Sequence, residues 1–289
     1  MASVIPVTFP RSRPALATTY EGDSQALLER ITPLVDYIEI SPDTIATAVE
    51  GIPRLRTEVL QEYASVAPRL KFVAHGVGLS IGSYDCWNED YFRLLDELFG
   101  KFDLEWHSEH LACTTVDGES LGTMLAMPRT EEALDLICER LHRLQTRYPV
   151  PFLLEHVIRI LPEPTAEYSD AAFLNAITAH TGCGLILDAY NLDCDRHNFG
   201  FDVQAFFAEL DFAPVRELHV AGGVQHKGFQ LDVHSRPTPH SALALALDIV
   251  ARAPNLRVVT YEFLKEAISG LTHDGICAEL VRIREAIYD

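Results

Sequence analysis

Long apolar runs, paired cysteines and basic side chains are all scarce in this chain. No stretch approaches the ~18 consecutive apolar residues of a membrane-spanning helix. The N-terminus MASVIPVTFPRSRPALATTYEG lacks a charged segment followed by a long apolar one, so it does not read as a secretory signal and a cytoplasmic location is expected. Six Cys, at 86, 113, 138, 183, 194 and 277, form no CxxC pair and no dense disulfide framework, and read as reduced, mostly buried thiols. Lys and Arg number 23 against 42 Asp and Glu, a formal charge of −19, which makes nucleic acid a poor partner because its phosphates are neutralised by basic side chains. With 16 Gly and 16 Pro in 289 residues, 48% of them hydrophobic, the chain is neither collagen-like nor disordered. What it does have is 12 His, and the question is whether the fold gathers them.

Short β-branched and apolar runs recur near 4–9, 36–41, 71–76, 103–109, 151–156, 184–189, 215–221 and 257–262. Between them, apolar residues at helical spacing mark helices near 24–34, 54–67, 89–100, 130–147, 169–181, 203–210, 238–252 and 270–287. In 130–147, for example, Leu134, Ile137, Leu141 and Leu144 share one face. Eight strands alternating with eight helices predict a single-domain α/β fold spanning 1–289, a (β/α)8 TIM barrel. A doubly wound open sheet is the alternative, weakened by the absence of a GxGxxG turn after the first strand.

A barrel brings the C-terminal ends of its strands to one mouth. The third predicted strand ends in His75, and the fourth runs through His107 into Glu109 and His110. Glu155 and His156 close the fifth, Asp188 the sixth with Asn191 just beyond, and His219 lies on the seventh. Asp232 and His234 follow in the next loop, and Glu262 ends the eighth strand. Carboxylates brought together in this way repel one another and lose hydration, so they require protons or a cation. Imidazole with carboxylate and no thiolate suits Fe(II), Mn(II) or Zn(II). The set exceeds what one ion can use, which predicts two or three ions bridged by a carboxylate such as Glu155 or Asp232.

The motifs HGVGLSIGS (75–83), SEHL (108–111), LLEH (153–156), LILDAYN (185–191), ELHVAGG (217–223), DVH (232–234) and YEF (261–263) resemble, in order, those of the DUF692 family. Its members are also called multinuclear non-haem iron-dependent oxidative enzymes. The resemblance implies a TIM barrel holding two or three iron ions of mixed Fe(II)/Fe(III) valence. It implies dioxygen as co-substrate, a Cys of a ribosomally made precursor peptide as the modified group, and a small partner protein that holds the leader peptide. The ligands it implies are His75, His110, Glu155, Asp188, Asn191, His219, Asp232, His234 and Glu262, all but Asn191 also taken as catalytic. Position 191 is Asn in many members and His in others; an amide oxygen is the weaker ligand. The family often has Asn where this chain has His156, and an acidic-Asn step after the second strand where this chain reads EISPDT.

Strand alternation points His107 away from His110 and His156 away from Glu155, leaving both in supporting roles. His197, expected on a loop, is a candidate for the substrate channel, and Arg159 and Tyr190 are candidate substrate contacts. His142 and His180 fall in helical stretches and are expected to be solvated. The polar, Gly-containing segment 222–237 is expected to cover the ions as a long loop at the mouth. Cys194, near the mouth, is the thiol most exposed to oxidation there. Two other readings fit such a cluster: a metal-dependent hydrolase or isomerase of the endonuclease IV or xylose isomerase type, and a non-catalytic metal- or peptide-binding protein. The charge of −19 speaks against the endonuclease.

Overall fold

In a computed structural model, which describes residues 13–288 apart from 23, 86 and 162–165, eight parallel strands close into a barrel. In chain order they are β1 (Ala15–Thr19), β2 (Tyr37–Ile40), β3 (Lys71–Gly76), β4 (Leu104–His110), β5 (Phe152–Glu155), β6 (Gly184–Asp188), β7 (Val215–Val220) and β8 (Val258–Tyr261). Each pairs with its neighbours in sequence, and β8 closes on β1, with Ala15 opposite Val258 and Thr18 opposite Tyr261. Seven of the strands lie where the sequence predicts them. The eighth prediction, 4–9, falls outside the described residues, and the first barrel strand is Ala15–Thr19 instead. Its sequence ALATT has modest strand propensity, and its pairing with both β2 and β8 supplies what propensity lacks.

The helices form where capping and periodicity agree. Glu131–Arg147 starts at Thr130, whose hydroxyl accepts from the Ala133 N–H at 3.2 Å, carries Glu131 and Glu132 in its first turn, and buries Leu134, Ile137, Leu141 and Leu144. Sequence periodicity did not announce the helix Ala189–Phe199, nor the hairpins Ala46–Val49/Ile52–Leu55, Ala112–Val116/Glu119–Ala126 and Val224–His226/Phe229–Leu231.

The barrel interior is layered. Ala17, Tyr37, Val73, Trp106, Leu153, Ile186 and Val258, one from each of seven strands, pack into an apolar plug. Two residues further along the same strands stand Thr19, Glu39, His75, Ser108, Glu155, Asp188 and Thr260, joined by His219 of β7, all buried. The period of two in a strand therefore converts an apolar floor into a polar layer in one step. Glu217 enters the floor from β7 as its one carboxylate, held by the Trp106 Nε1–H at 2.7 Å and by the Thr260 hydroxyl at 2.5 Å.

Trp106→Phe removes a donor from a fully buried carboxylate and shrinks a packed side chain, so it should lower unfolding free energy by at least about 2 kcal/mol. Urea unfolding of the metal-free protein reads this; a loss below about 0.5 kcal/mol would show that Glu217 does not depend on the indole.

Candidate metal centre at the barrel mouth

Three strand-borne imidazoles meet one carboxylate. Glu155, at the end of β5 and 1% exposed, places Oε2 at 2.9 Å from His75 Nε2 and 3.4 Å from His110 Nε2. Its other oxygen, Oε1, lies 3.5 Å from His219 Nδ1. His219 Nδ1 also stands 3.2 Å from Glu262 Oε2. Glu155 thus faces two groups that could each hold an ion, His75/His110/Glu155 and Glu155/Asp188/His219. A further group, Asp188/His234/Glu262, extends towards the loop after β7, where His234 Nε2 lies 2.8 Å from Asp232 Oδ1.

The ring orientations are set from behind. The Ser108 hydroxyl donates to the Ala74 carbonyl at 3.0 Å, so its oxygen receives the Nδ1–H of His75 at 2.9 Å. His110 Nδ1 lies 2.8 Å from the Gly76 carbonyl, which can only accept. Both rings therefore turn Nδ1–H away from the cluster and present Nε2 to Glu155, the nitrogen that a metal ion would take in place of a proton.

Asp188 divides its oxygens. Oδ1 caps the helix Ala189–Phe199, accepting from the Tyr190 N–H at 2.6 Å and the Asn191 N–H at 2.9 Å. Oδ2 is buried without a hydrogen-bond partner. Asn191, in the first turn of that helix, is likewise buried with Oδ1 unpartnered. Glu155 Oε2, both nitrogens of His219, Asp232 Oδ1 and His234 Nε2 share that condition. Buried polar atoms are ordinarily paired, so this convergence of nitrogen and oxygen atoms fits divalent metal ions.

The electrostatics point the same way. Burial pushes His75 down, but Glu39 and Glu155 outweigh it and hold the imidazole at about 9. Burial is likewise overcome at His219 by Glu262, Glu39 and Glu155, and at His234 by Asp232 and Glu262, and both rise well above the usual histidine range. Asp188 is pushed well above the carboxylate range by burial and then by Asp232, Glu262 and Glu155. At His110 burial dominates and lowers the ring to about 4. Protons thus do, in part, what cations can do better.

Two members of the cluster were not anticipated. Glu39 of β2 and Glu217 of β7 flank His219 Nε2 at 3.3 and 3.6 Å. The period of two carried the signal: Glu217 precedes His219 by two residues, on the same face. Glu109 sits beside the cluster without joining it, because Oε1 accepts from the Leu79 N–H and Oε2 from the His110 N–H, each at 3.1 Å. Burial, then Asp43, raises it to about 8.

The supporting candidates divide. His107 points outward, edge-on to Phe152 and Tyr148, and burial lowers it to about 3. His156 also faces away from Glu155, towards Phe206, and lines a small cavity with Arg159 and Phe201. Arg159 is engaged by Asp195, at 2.9 Å, and by Asp170, so as placed it braces the region behind β5. His197 is corrected from loop to helix: it lies in Ala189–Phe199, with Nε2 3.2 Å from the Gly228 carbonyl and 3.0 Å from Gln225 Nε2. The Tyr190 hydroxyl donates to the Leu231 carbonyl at 3.2 Å. Both side chains therefore fasten the hairpin inside segment 222–237. Cys194 is fully buried, and burial followed by Asp232 and Asp188 keeps its thiol protonated, which disfavours the oxidation expected of it. His142 and His180 are exposed, as expected.

A closed parallel barrel whose mouth gathers buried imidazoles and carboxylates defines a TIM-barrel protein with a candidate metal centre. The chain belongs to the family of RiPP precursor modification enzymes MbnB/TglH/ChrH, whose model matches residues 21–263, and this is the DUF692 family that its motifs resemble. A UPF0276 protein of Caulobacter vibrioides is 32% identical over 221 residues, 76% of each chain. One from Rhizorhabdus wittichii is 33% identical over 220 residues, 75% of this chain and 76% of that one. Among solved structures, the IOLI protein with a binding zinc atom matches with a TM-score of 0.61 at 15% identity, covering 94% of this chain and 97% of its own. D-psicose 3-epimerase from Clostridium cellulolyticum H10 matches at 0.58 and 13% identity, covering 94% and 99%. At that identity the structural matches speak for the barrel alone.

Loading divalent metal at pH 7 should release protons, since His75 is held protonated up to about 9 and must become neutral to ligate. Affinity should accordingly rise between pH 6 and 9. Calorimetry in buffers of different ionisation enthalpy measures the release; binding that is independent of pH would contradict the arrangement. Glu155→Ala should remove more than one equivalent of metal, by elemental analysis, because both of its oxygens face ligand groups.

Proposed function

We propose that this chain is an oxidative enzyme, dependent on two or three iron ions and on dioxygen, that modifies a Cys residue of a ribosomally made precursor peptide. The observation that supports it most is Glu155, between His75 and His110 on one oxygen and His219 on the other, within a family of peptide precursor modification enzymes. His75, His110 and Glu155 would hold one ion; Glu155, Asp188, His219 and Glu262 a second; Asn191, Asp232 and His234 a third. Iron bound there supplies redox chemistry with dioxygen and a Lewis-acidic position for the peptide thiolate.

The protein's own contribution is orientation and exclusion of water. Ser108 and the Gly76 carbonyl fix two ring orientations, and the capped Asp188 fixes a third ligand against rotation. Asp232 and His234 come from a segment that Tyr190, Asn198 and His197 tie to the helix Ala189–Phe199. That segment limits access to the cluster from solvent and orients the peptide Cys. The third ion is held least firmly, because its amide ligand Asn191 is weak and two of its ligands lie on a loop.

The substrate is the precursor peptide, delivered by a small partner that binds its leader; co-purification with the protein encoded beside it tests that contact. Among the described residues no helix is long and apolar enough to cross a membrane.

Anaerobic reconstitution with Fe(II), then dioxygen and the co-encoded peptide, should change the mass of the peptide at Cys. Excision of the Cys β-carbon and conversion to a heterocycle with a thioamide give different masses. An iron-loaded protein that leaves its true peptide unchanged sinks the proposal, and turnover independent of oxygen would favour a hydrolase or isomerase.

A further inference from the structure

The three strand-borne imidazoles at Glu155 are not held alike. For His75 and His110 the nitrogen remote from Glu155 meets a neutral acceptor, the Ser108 hydroxyl oxygen and the Gly76 carbonyl. For His219 the ring is turned over: Nδ1 faces Glu155 and Glu262, and Nε2 faces Glu39 and Glu217. Among the described residues that nitrogen meets no neutral acceptor, and only a carboxylate stands ready to receive its proton.

The two carboxylates are not equivalent. Glu217 is already occupied, with Oε2 accepting from the Trp106 indole and Oε1 from the Thr260 hydroxyl, and it stands 3.6 Å from Nε2. Glu39 is nearer at 3.3 Å, is 1% exposed, and neither of its oxygens has a hydrogen-bond partner. As placed, Glu39 and His219 Nε2 lie 3.3 Å apart without hydrogen-bond geometry, and a small rotation of either side chain pairs two buried groups that otherwise have no partner.

We infer that Glu39 is a positioning residue for the metal centre: it accepts the Nε2–H of His219, fixes the ring with its Nδ1 lone pair towards Glu155 and Glu262, and strengthens that nitrogen as a ligand. It forms a carboxylate–histidine–metal relay reaching from the barrel interior to the mouth. Glu217, anchored to Trp106 and Thr260, keeps Glu39 on its own side of the ring by repulsion. This inference rests on the proposed metal centre and concerns only the ion bound by His219. Loss of such a carboxylate partner ordinarily weakens metal binding by about 10–100-fold.

The test uses the full chain and Co(II), whose visible spectrum reports imidazole coordination, with stoichiometry from elemental analysis and affinity from competition with a chelator. Glu39→Ala should lose one equivalent, or bind it at least about tenfold more weakly, while the equivalent at His75 and His110 stays. Glu39→Gln keeps the shape and an acceptor oxygen without the charge and should fall between; it also carries the test should the alanine variant not fold. Circular dichroism and thermal unfolding without metal establish that each variant is folded. A folded variant pair with wild-type stoichiometry, affinity and spectrum overturns the role of Glu39. Wild-type protein that binds no Co(II) instead overturns the metal centre itself, and the two failures are distinct.

Discussion

Glu155 sits where three imidazoles converge, on a strand of only four residues, Phe152–Glu155, that is buried throughout. A carboxylate in that position loses nearly all of its hydration, and it stays ionised only because positive charge surrounds it: burial raises it, yet His219, His110 and His75 together bring it well below the carboxylate range. His75, His219 and His234 are in turn held protonated by the carboxylates, whereas burial lowers His110. The mouth is a mutually dependent set of six carboxylates (Glu39, Glu155, Asp188, Glu217, Asp232, Glu262) and four imidazoles (His75, His110, His219, His234). Negative charge exceeds what four protonated rings can balance. Any stable form of this layer therefore takes up further protons or cations, and divalent ions satisfy more of its unpaired atoms per charge than protons do.

That demand explains features of the barrel which would otherwise cost stability. Trp106 and Thr260 spend their polar hydrogens on Glu217, so the apolar floor tolerates a carboxylate beneath the ligand layer. Asp188 gives one oxygen to a helix cap and keeps the other without a partner, so a routine start of a helix becomes a rigid mount for a candidate ligand. His234 adopts a left-handed backbone with φ of 42°, unusual for a residue with a Cβ, where its side chain meets Asp232 and Glu262. The strain is local and lies at a candidate ligand, as expected where geometry is dictated by the site rather than by the chain.

Strand ends were the legible part of this sequence. Seven strands and the polar residues at their C-terminal ends could be read because hydrophobic alternation and the parallel βα repeat both mark them. Glu39 escaped because it stands inside YIEI, where a buried carboxylate reads as an outward-facing position of an amphipathic strand. In a closed barrel, however, the side facing inward is the polar one at this height. Strand β1 escaped because ALATT owes its conformation to partners on both sides. The helix Ala189–Phe199 was hidden by its own composition: it buries residues around most of its girth, so it shows no periodic apolar face.

The covering segment shows how a weak local signal becomes a fixed one. Its two leading glycines, read at first only as loop composition, sit where backbone crosses backbone: a Cβ on Gly223 would lie 1.9 Å from the Leu231 carbonyl oxygen, and one on Gly222 2.2 Å from that of Pro237. The segment leaves β7 at Val220 and returns directly over its own start, with Ser235 and Arg236 donating their N–H groups to the Gly222 carbonyl at 2.7 and 3.0 Å. Asp232 and His234 lie inside this closed loop. Their approach to Asp188 and Glu262 is thus set by glycine contacts and backbone hydrogen bonds at the base of the loop, none of which involves a candidate ligand. A cover closed on itself in this way has fewer conformations to lose than a free loop of the same length, which lowers the entropy cost of fixing Asp232 and His234 at the mouth.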